Sequence, residues 1–157
     1  MTSTVAAPTE FPTPEGHKKA LELTTAEGAV QIYTCAAKKD DPAQFQWTLK
    51  APEAYLVDGQ GNTVGKHYGG PTWEGNDGSK AIGDADKRQS RPAPDTIPWL
   101  LLPARYEGQG IFSGVTFVQR VNTVGGVAPA TGADKANAGK EVRVKYKATY
   151  YFYKAAY

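Results

Sequence analysis

The apolar side chains of this chain recur at every second residue along several segments. The clearest segment is EVRVKYKATYYFY at 141–153, where the charged residues of its first half fall on one side of an extended chain. The other side carries Val142, Val144, Tyr146, Ala148, Tyr150 and Phe152. A period of two predicts a β-strand that buries one face and exposes the other, and this is typical of antiparallel sheets.

Similar alternation recurs from the N-terminal third onwards. In QFQWTLK, Phe45, Trp47 and Leu49 share one face. Further strands are predicted in KALELTT, AVQIYTC, AYLV, TVGKHY, TWE, KAIG, WLLL and GIFSGVTFVQRV. The glycine-rich segments at 58–62 and 75–79 predict hairpin turns. Residues 84–98 and 123–140 lack periodicity and are predicted as loops, the second with a short helical turn around 133–138.

These elements predict one all-β domain. About eight to nine strands, long loops and little helix indicate an antiparallel β-barrel or β-sandwich, and periodicity alone does not choose between the two. A length of 157 residues suits a single domain. We expect a Pro/Thr-rich N-terminal arm at 1–19 and the β domain at 20–157.

Composition and charge exclude several classes of function. The net charge of +2, without a cluster of Lys and Arg, argues against a nucleic-acid partner. No apolar run reaches the roughly 20 residues that span a bilayer. Cys35 is the single cysteine and the chain has two histidines, so we expect no internal disulfide, no CxxC motif and no multi-histidine zinc site. We also expect no cofactor. The leader MTSTVAAPTEFPTPEG resembles the mature N-terminus of a secreted protein, with an initiating Met.

The segment VGKHYGGPTWEGNDGSKAIG at 64–83 carries the main candidate chemistry. If 64–68 and 72–74 are paired strands, His67 and Tyr68 point to opposite faces, as do Trp73 and Glu74. One face then gathers His67 with Glu74 or Trp73, which suits acid–base chemistry or contact with a small ligand. The alternative is that Trp73 belongs to the core and that His67 hydrogen-bonds a neighbouring loop.

Two further candidates come from acidic and aromatic residues. Asp77, Asp84 and Asp86 offer oxygen ligands for calcium, although Asp77 equally suits a turn. Tyr151 and Tyr153 place aromatic side chains on the second face of the C-terminal strand, where they suit a sugar ring or an apolar molecule. The alternative is an edge strand whose outer tyrosines pack under a loop.

Several long motifs carry a family resemblance. VQIYTC, WTLKAPEAYLVD, GKHYGGPTWEGNDGSK, IPWLLL, VTFVQRVNTVGGVAPATG and YKATYYFY together resemble the domain-of-unknown-function 3455 family, from about Gly28 to Tyr153. The resemblance implies a β-rich protein with a secretion signal. It also implies a second cysteine that bridges to Cys35, at the position occupied here by Ala133. It implies no activity.

We therefore expect a secreted, non-catalytic module that binds a small molecule or a glycan. Its expected ligand-binding residues are His67, Tyr68, Trp73, Glu74, Tyr151 and Tyr153. One alternative is a hydrolase or isomerase in which His67 is the base and Glu74 or Asp77 assists. GxSxG, HExxH and nucleotide-binding motifs are absent, and Ser113 is expected in mid-strand. Another alternative is a self-associating surface protein that uses the C-terminal strand.

Overall fold

A computed structural model describes residues 12–156, and it is all-β. Ten strands follow one another: β1 His17–Thr25, β2 Val30–Ala37, β3 Phe45–Val57, β4 Thr63–Tyr68, β5 Thr72–Gly75, β6 Lys80–Gly83, β7 Gln89–Ala93, β8 Thr96–Glu107, β9 Val115–Gly125 and β10 Glu141–Ala155. Two single turns of 3-10 helix lie at Ala85–Lys87 and Lys135–Asn137, and the described residues contain no α-helix. The all-β prediction is confirmed, with one strand more than expected.

The strands close into a ring. Antiparallel pairing runs from β10 through β9, β8, β6, β5 and β4 to β3, and β1 pairs with both β3 and β10. β2 also pairs with both β3 and β10, but at the opposite ends of these long strands. β1 and β2 both lie between β3 and β10, one at each end of these strands, and for this reason the ring is not a regular barrel.

The main core fills the interior of this ring. Tyr150 and Phe152 of β10 are fully buried and lie among residues from β1, β3, β5, β8 and β9. The alternation predicted for β10 is confirmed, since the charged residues of its first half are exposed and the apolar residues opposite them are half-buried or buried. Packing this one face against the opposite wall of the ring is the main source of hydrophobic stabilisation.

β10 is also covered on its outer face near its C-terminal end. Leu101 of β8 and Val121 of β9 form a second, smaller apolar cluster with Trp99, Phe117 and Tyr151 packed against it. Residues 146–154 of β10 pair with β9, and 149–155 pair with β1 on the other side. This half of the strand is therefore interior to the sheet, and the prediction of an edge strand is wrong for it.

Two of the predicted element boundaries are wrong. The segment 84–98 contains β7 and the start of β8, joined by a tight turn at Pro94 and Asp95. Residues 110–114 form a turn, so that Ser113 precedes β9 and does not lie in mid-strand. The short helical turn predicted around 133–138 is present, as a 3-10 turn at Lys135–Asn137.

The structure describes only part of the N-terminal arm that was expected at 1–19. β1 begins at His17, before the boundary expected at residue 20. Most of the leader, residues 1–11, lies outside the described residues. Within the described part of the chain, no helix has the length and apolar character that crossing a membrane requires.

Candidate functional site

The β4–β5 hairpin sorts the predicted site residues onto two faces. His67 pairs with Trp73 across the hairpin, and Lys66 pairs with Glu74. Because successive side chains alternate, His67 and Trp73 point into the ring while Tyr68 and Glu74 point outwards. Gly70, with φ of 81°, makes the tight turn between these strands. The hairpin thus pairs His67 with Trp73, one of its two predicted partners.

His67 is buried in an aromatic environment. Its ring lies 4.4 Å from the Trp73 ring and 5.2 Å from the Tyr150 ring, measured between centroids. Its Nδ1 lies 2.8 Å from the carbonyl oxygen of Thr72, which can only accept, so Nδ1 carries the proton. Burial lowers the pKa of His67 to about 3, and the charge of Arg120 adds to this effect. His67 is therefore neutral near pH 7, with Nε2 as an acceptor.

A cavity of about 390 Å³ lies in the ring beside this histidine. Its walls come from β2, β3, β4, β5, β8, β9 and β10, and its rim from the Gly69–Pro71 turn and the 3-10 turn at Ala85–Lys87. Aromatic and aliphatic side chains dominate the lining, among them Tyr33, Leu49, Trp73, Ile97, Leu100, Leu102, Val118 and Tyr150. Leu49, which was expected on a buried face, is 50% exposed. This volume lies within the range of small-molecule sites.

Arg120 brings a positive charge to this cavity. It pairs with Tyr150 of β10 and with Leu100 of β8, so it shares the inward face of β9 with the fully buried Val118. Its Nε and Nη2 donate to the carbonyl oxygen of Pro98 at 3.1 and 2.8 Å. The charge of Arg120 thus lies against the aromatic interior of the ring.

Two buried polar atoms among the lining residues lack a hydrogen-bond partner. They are Oε1 of Gln31 and Nε1 of Trp73, and both residues are 2% exposed. An unpartnered polar atom in a protein interior costs about 1–3 kcal/mol. Both atoms are covered by the protein, so the wall beside the cavity holds two polar groups without a hydrogen-bond partner.

Tyr68 and Glu74 belong to a different surface. The Tyr68 hydroxyl donates to Oε1 of Glu74 at 2.7 Å, and this bond raises the pKa of Tyr68 to about 12 and lowers that of Glu74. Both residues line an open groove of about 660 Å³ on the outside of β3–β5, together with Tyr55, Lys66 and the edge of the buried His67. Glu74 is therefore unable to assist His67 from the same face.

Tyr151 and Tyr153 also lie away from the cavity. Tyr151 packs against the second apolar cluster, and the ammonium group of Lys19 lies 4.3 Å from its ring centroid. The Tyr153 hydroxyl donates to Oε1 of Gln119 at 3.0 Å. The structure therefore separates the six predicted residues into the cavity pair His67 and Trp73, the outer pair Tyr68 and Glu74, and these two tyrosines.

Two of the three candidate calcium ligands, Asp77 and Asp84, have structural roles. Asp77 accepts hydrogen bonds from Ser79 N and Oγ through Oδ1, and from Ile111 N through Oδ2. Asp84 accepts from Asp86 N and caps the 3-10 turn. No group of three His, Cys, Asp or Glu residues within 12–156 is placed to hold a metal ion. Asp77 is engaged by two loops, which leaves it unsuited to assist His67.

Sequence reasoning did not identify Arg120 and Gln31 as site residues. In VTFVQRV both phases of the alternation contain apolar residues, so periodicity does not show which phase faces the interior. The pairing of Arg120 opposite Tyr150 shows this, because Tyr150 is on the buried phase of β10. The available signal was a single arginine in a strand that is otherwise uncharged.

Comparison with known proteins gives one match. A family model described as "Protein of unknown function (DUF3455)" matches residues 14–154. The chain belongs to this family. No curated protein and no solved structure matches it. Membership confirms the resemblance seen in the motifs, and it assigns no ligand or reaction to the cavity.

Proposed function

We propose that this protein is a non-catalytic binding module that holds a small, largely apolar molecule in the cavity beside His67 and Trp73. The observation that carries the proposal is the cavity of about 390 Å³ itself, whose mostly apolar lining includes the polar side chains of Gln31, His67 and Arg120. A few polar groups in an apolar cavity are typical of sites that orient a ligand.

The state of His67 supports binding over catalysis. A general base at neutral pH works best with a pKa near 7, whereas the pKa of His67 is about 3. Its hydrogen-bond partner is a backbone carbonyl and not a carboxylate. His67 therefore suits a fixed hydrogen-bond acceptor and an aromatic wall better than a proton shuttle.

Protein-observed NMR titration with neutral ring compounds such as indole, phenol and cyclohexanol tests this proposal. We expect binding that shifts the Trp73 indole resonance. Ala85→Trp fills the rim of the cavity and should abolish binding. Ala136→Trp is the matched control, because Ala136 lies in the other 3-10 turn, is exposed, and is not part of the cavity.

Two results would contradict the proposal. One is that neither the neutral compounds nor a charged compound of similar size binds the unmodified protein. The other is that Ala85→Trp and Ala136→Trp bind them equally well, since the ligand would then occupy another site.

A glycan is the second candidate ligand, and the outer groove favours it. Tyr55 is 65% exposed there, beside Tyr68 and the carboxylates of Glu53 and Glu74. Exposed aromatic rings with nearby acceptors suit the apolar face and the hydroxyl groups of a sugar. Tyr55→Ala should abolish retention on an insoluble polysaccharide, whereas Tyr106→Ala, which removes another exposed tyrosine, should not. Equal retention of both variants would exclude the groove.

We also propose an extracellular location. The support is the secretion signal that the family resemblance implies, together with the Thr- and Pro-rich leader. Expression of the full natural coding sequence with a C-terminal tag, followed by fractionation, tests this. Tagged protein in the medium supports the proposal, and tagged protein confined to the cytosol contradicts it.

A further inference from the structure

The charged residues that line the cavity are all basic. Lys50, Arg88 and Arg120 are among the lining residues, and no Asp or Glu is. Lys50 is paired with Glu141 at 2.6 Å, and Arg88 donates to the carbonyl oxygen of Ala85. Arg120 differs from these two because its side chain belongs to the inward face of the ring.

Arg120 has no carboxylate partner within the described part of the chain. The ion pairs among the described residues include Lys19–Glu22, Lys50–Glu141, Arg105–Glu107 and Arg143–Glu53, none of which involves Arg120. Two of its N–H groups converge on one carbonyl oxygen, that of Pro98, which is neutral. Removing a cation from water is expensive unless an anion compensates it. A half-buried guanidinium held by a backbone carbonyl is therefore suited to receive an anion.

The influence of this charge extends across the interior. Arg120 acts electrostatically on His67, Tyr33, Tyr146 and Tyr150. Three of these four residues are themselves cavity-lining. A negatively charged group placed in the cavity would experience the same positive field.

We infer that the natural ligand is a small organic acid, with a ring or short apolar body against Trp73 and Tyr150 and a carboxylate at Arg120. A guanidinium matches a carboxylate with two parallel N–H···O bonds. The apolar lining accepts the body of the molecule. This inference rests on the proposed function and adds the chemical class of the ligand.

Three compounds of similar shape but different charge test whether the cavity prefers an anion. They are 4-hydroxyphenylacetate, 4-hydroxyphenylacetamide and tyramine, which are anionic, neutral and cationic at pH 7. Titration calorimetry on the unmodified protein should rank the acid first, at least roughly tenfold tighter than the amide, with the amine weakest. Because this ranking needs no variant, it tests the inference even if substitutions of Arg120 do not fold.

Two variants that each remove one positive charge show whether Arg120 causes the preference for the acid. Arg120→Gln removes the charge but keeps a side chain that can donate to the Pro98 carbonyl, so the acid should bind no better than the amide. Arg143→Gln removes the same charge from an exposed residue paired with Glu53, so the preference should remain.

The outcomes separate this inference from the proposed function. If acid and amide bind equally well, or Arg120→Gln keeps the preference, the inference fails and the binding module stands. If no compound of any charge binds, and the neutral ring compounds also fail, both are wrong. If the unmodified protein prefers the acid, and this preference disappears in Arg120→Gln but remains in Arg143→Gln, the inference and the proposed function are both supported.

Discussion

The imidazole of His67 stacks on the indole of Trp73, with the ring planes 9° from parallel and the centroids 4.4 Å apart. The two residues are paired directly across the β4–β5 hairpin. This contact joins a titratable side chain to the apolar core. Protonation of His67 inside the ring is therefore unfavourable, and this makes the stability of the fold sensitive to acid.

The first prediction concerns this sensitivity. The folded pKa of His67 is about 3 and its unfolded value is about 6.5, so the unfolded chain binds the extra proton between these values. The stabilisation is fully present above pH 6.5 and decreases as the pH falls towards 3. We expect a loss of about 1.4 kcal/mol per pH unit over that window from this residue.

Denaturant unfolding at pH 7.0 and at pH 4.5 measures the effect. The free energy of unfolding of His67→Gln should differ less between pH 7.0 and pH 4.5 than that of the unmodified protein, whatever the absolute stability of the variant. His17→Gln, which removes the other histidine, should behave like the unmodified protein. An equal pH dependence for His67→Gln and the unmodified protein would rule out burial of a neutral His67.

A second prediction concerns the close approach of β4 and β5. A Cβ atom on Gly65 would lie 2.4 Å from the carbonyl oxygen of Glu74, which is backbone and unable to rotate away. Gly65→Ala should lower the free energy of unfolding by about 1–3 kcal/mol. Gly59→Ala is the control, because a Cβ there meets no atom within 4 Å. Similar unfolding midpoints for the two variants would contradict this geometry.

A third prediction concerns Cys35. It is a buried free thiol whose Sγ lies 3.4 Å from the carbonyl oxygen of Asp134, next to Ala133, the position where the family resemblance implies a bridging cysteine. Ala133→Cys should form a disulfide with Cys35 and stabilise the protein by about 2–4 kcal/mol.

Intact mass and thiol titration detect that bond, and unfolding with and without reductant gives its effect on stability. Ala136→Cys, an exposed position in the same connection, should keep both thiols free. A folded Ala133→Cys protein with two reactive thiols under oxidising conditions would be evidence against the predicted bridge.

A fourth prediction concerns the carboxylate of Asp77. It accepts hydrogen bonds from Ser79 in its own turn and from the backbone of Ile111 before β9, and the Ser79 hydroxyl accepts from Phe112 N. These bonds lower the pKa of Asp77, so it is charged at neutral pH. Asp77→Ala should leave the amides of Ser79 and Ile111 unpaired, with roughly tenfold faster hydrogen exchange.

Asp84→Ala is the matched control for this exchange experiment, because Asp84 caps a single 3-10 turn and does not connect two loops. Its loss should leave exchange at Ser79 and Ile111 unchanged. Unchanged exchange in Asp77→Ala would show that the carboxylate does not hold the two loops together.

Local sequence patterns predicted much of the fold. The alternation in β10 predicted its buried face because the charged residues of its first half have no stable position in an apolar interior. The glycine-rich segment at 75–79 predicted a turn that the structure contains. In β4 and β5, strand geometry predicted that His67 and Tyr68 face opposite ways, since side chains alternate in any strand.

Local sequence patterns gave wrong predictions for β7, at the edge of the sheet, and for Leu49 of β3. β7 reads QSRPA and has no apolar alternation because it pairs only with β8, at the end of the sheet path. Pro92 lacks an N–H donor and is tolerated in such a strand, where the register shifts between Arg91 and Ala93. Leu49 is exposed although its strand alternates, because it lies at the rim of the cavity.

The sequence by itself determined that this chain forms two-faced strands and which face of β10 is buried. Only the tertiary structure decided that the strands close into a ring, that Arg120 faces Tyr150 inside it, and that Glu74 lies outside with Tyr68. The physical reason is that alternation depends on each residue's own contact with water, whereas a site depends on which strands pair. Pairing is a property of distant segments, and no local pattern specifies it.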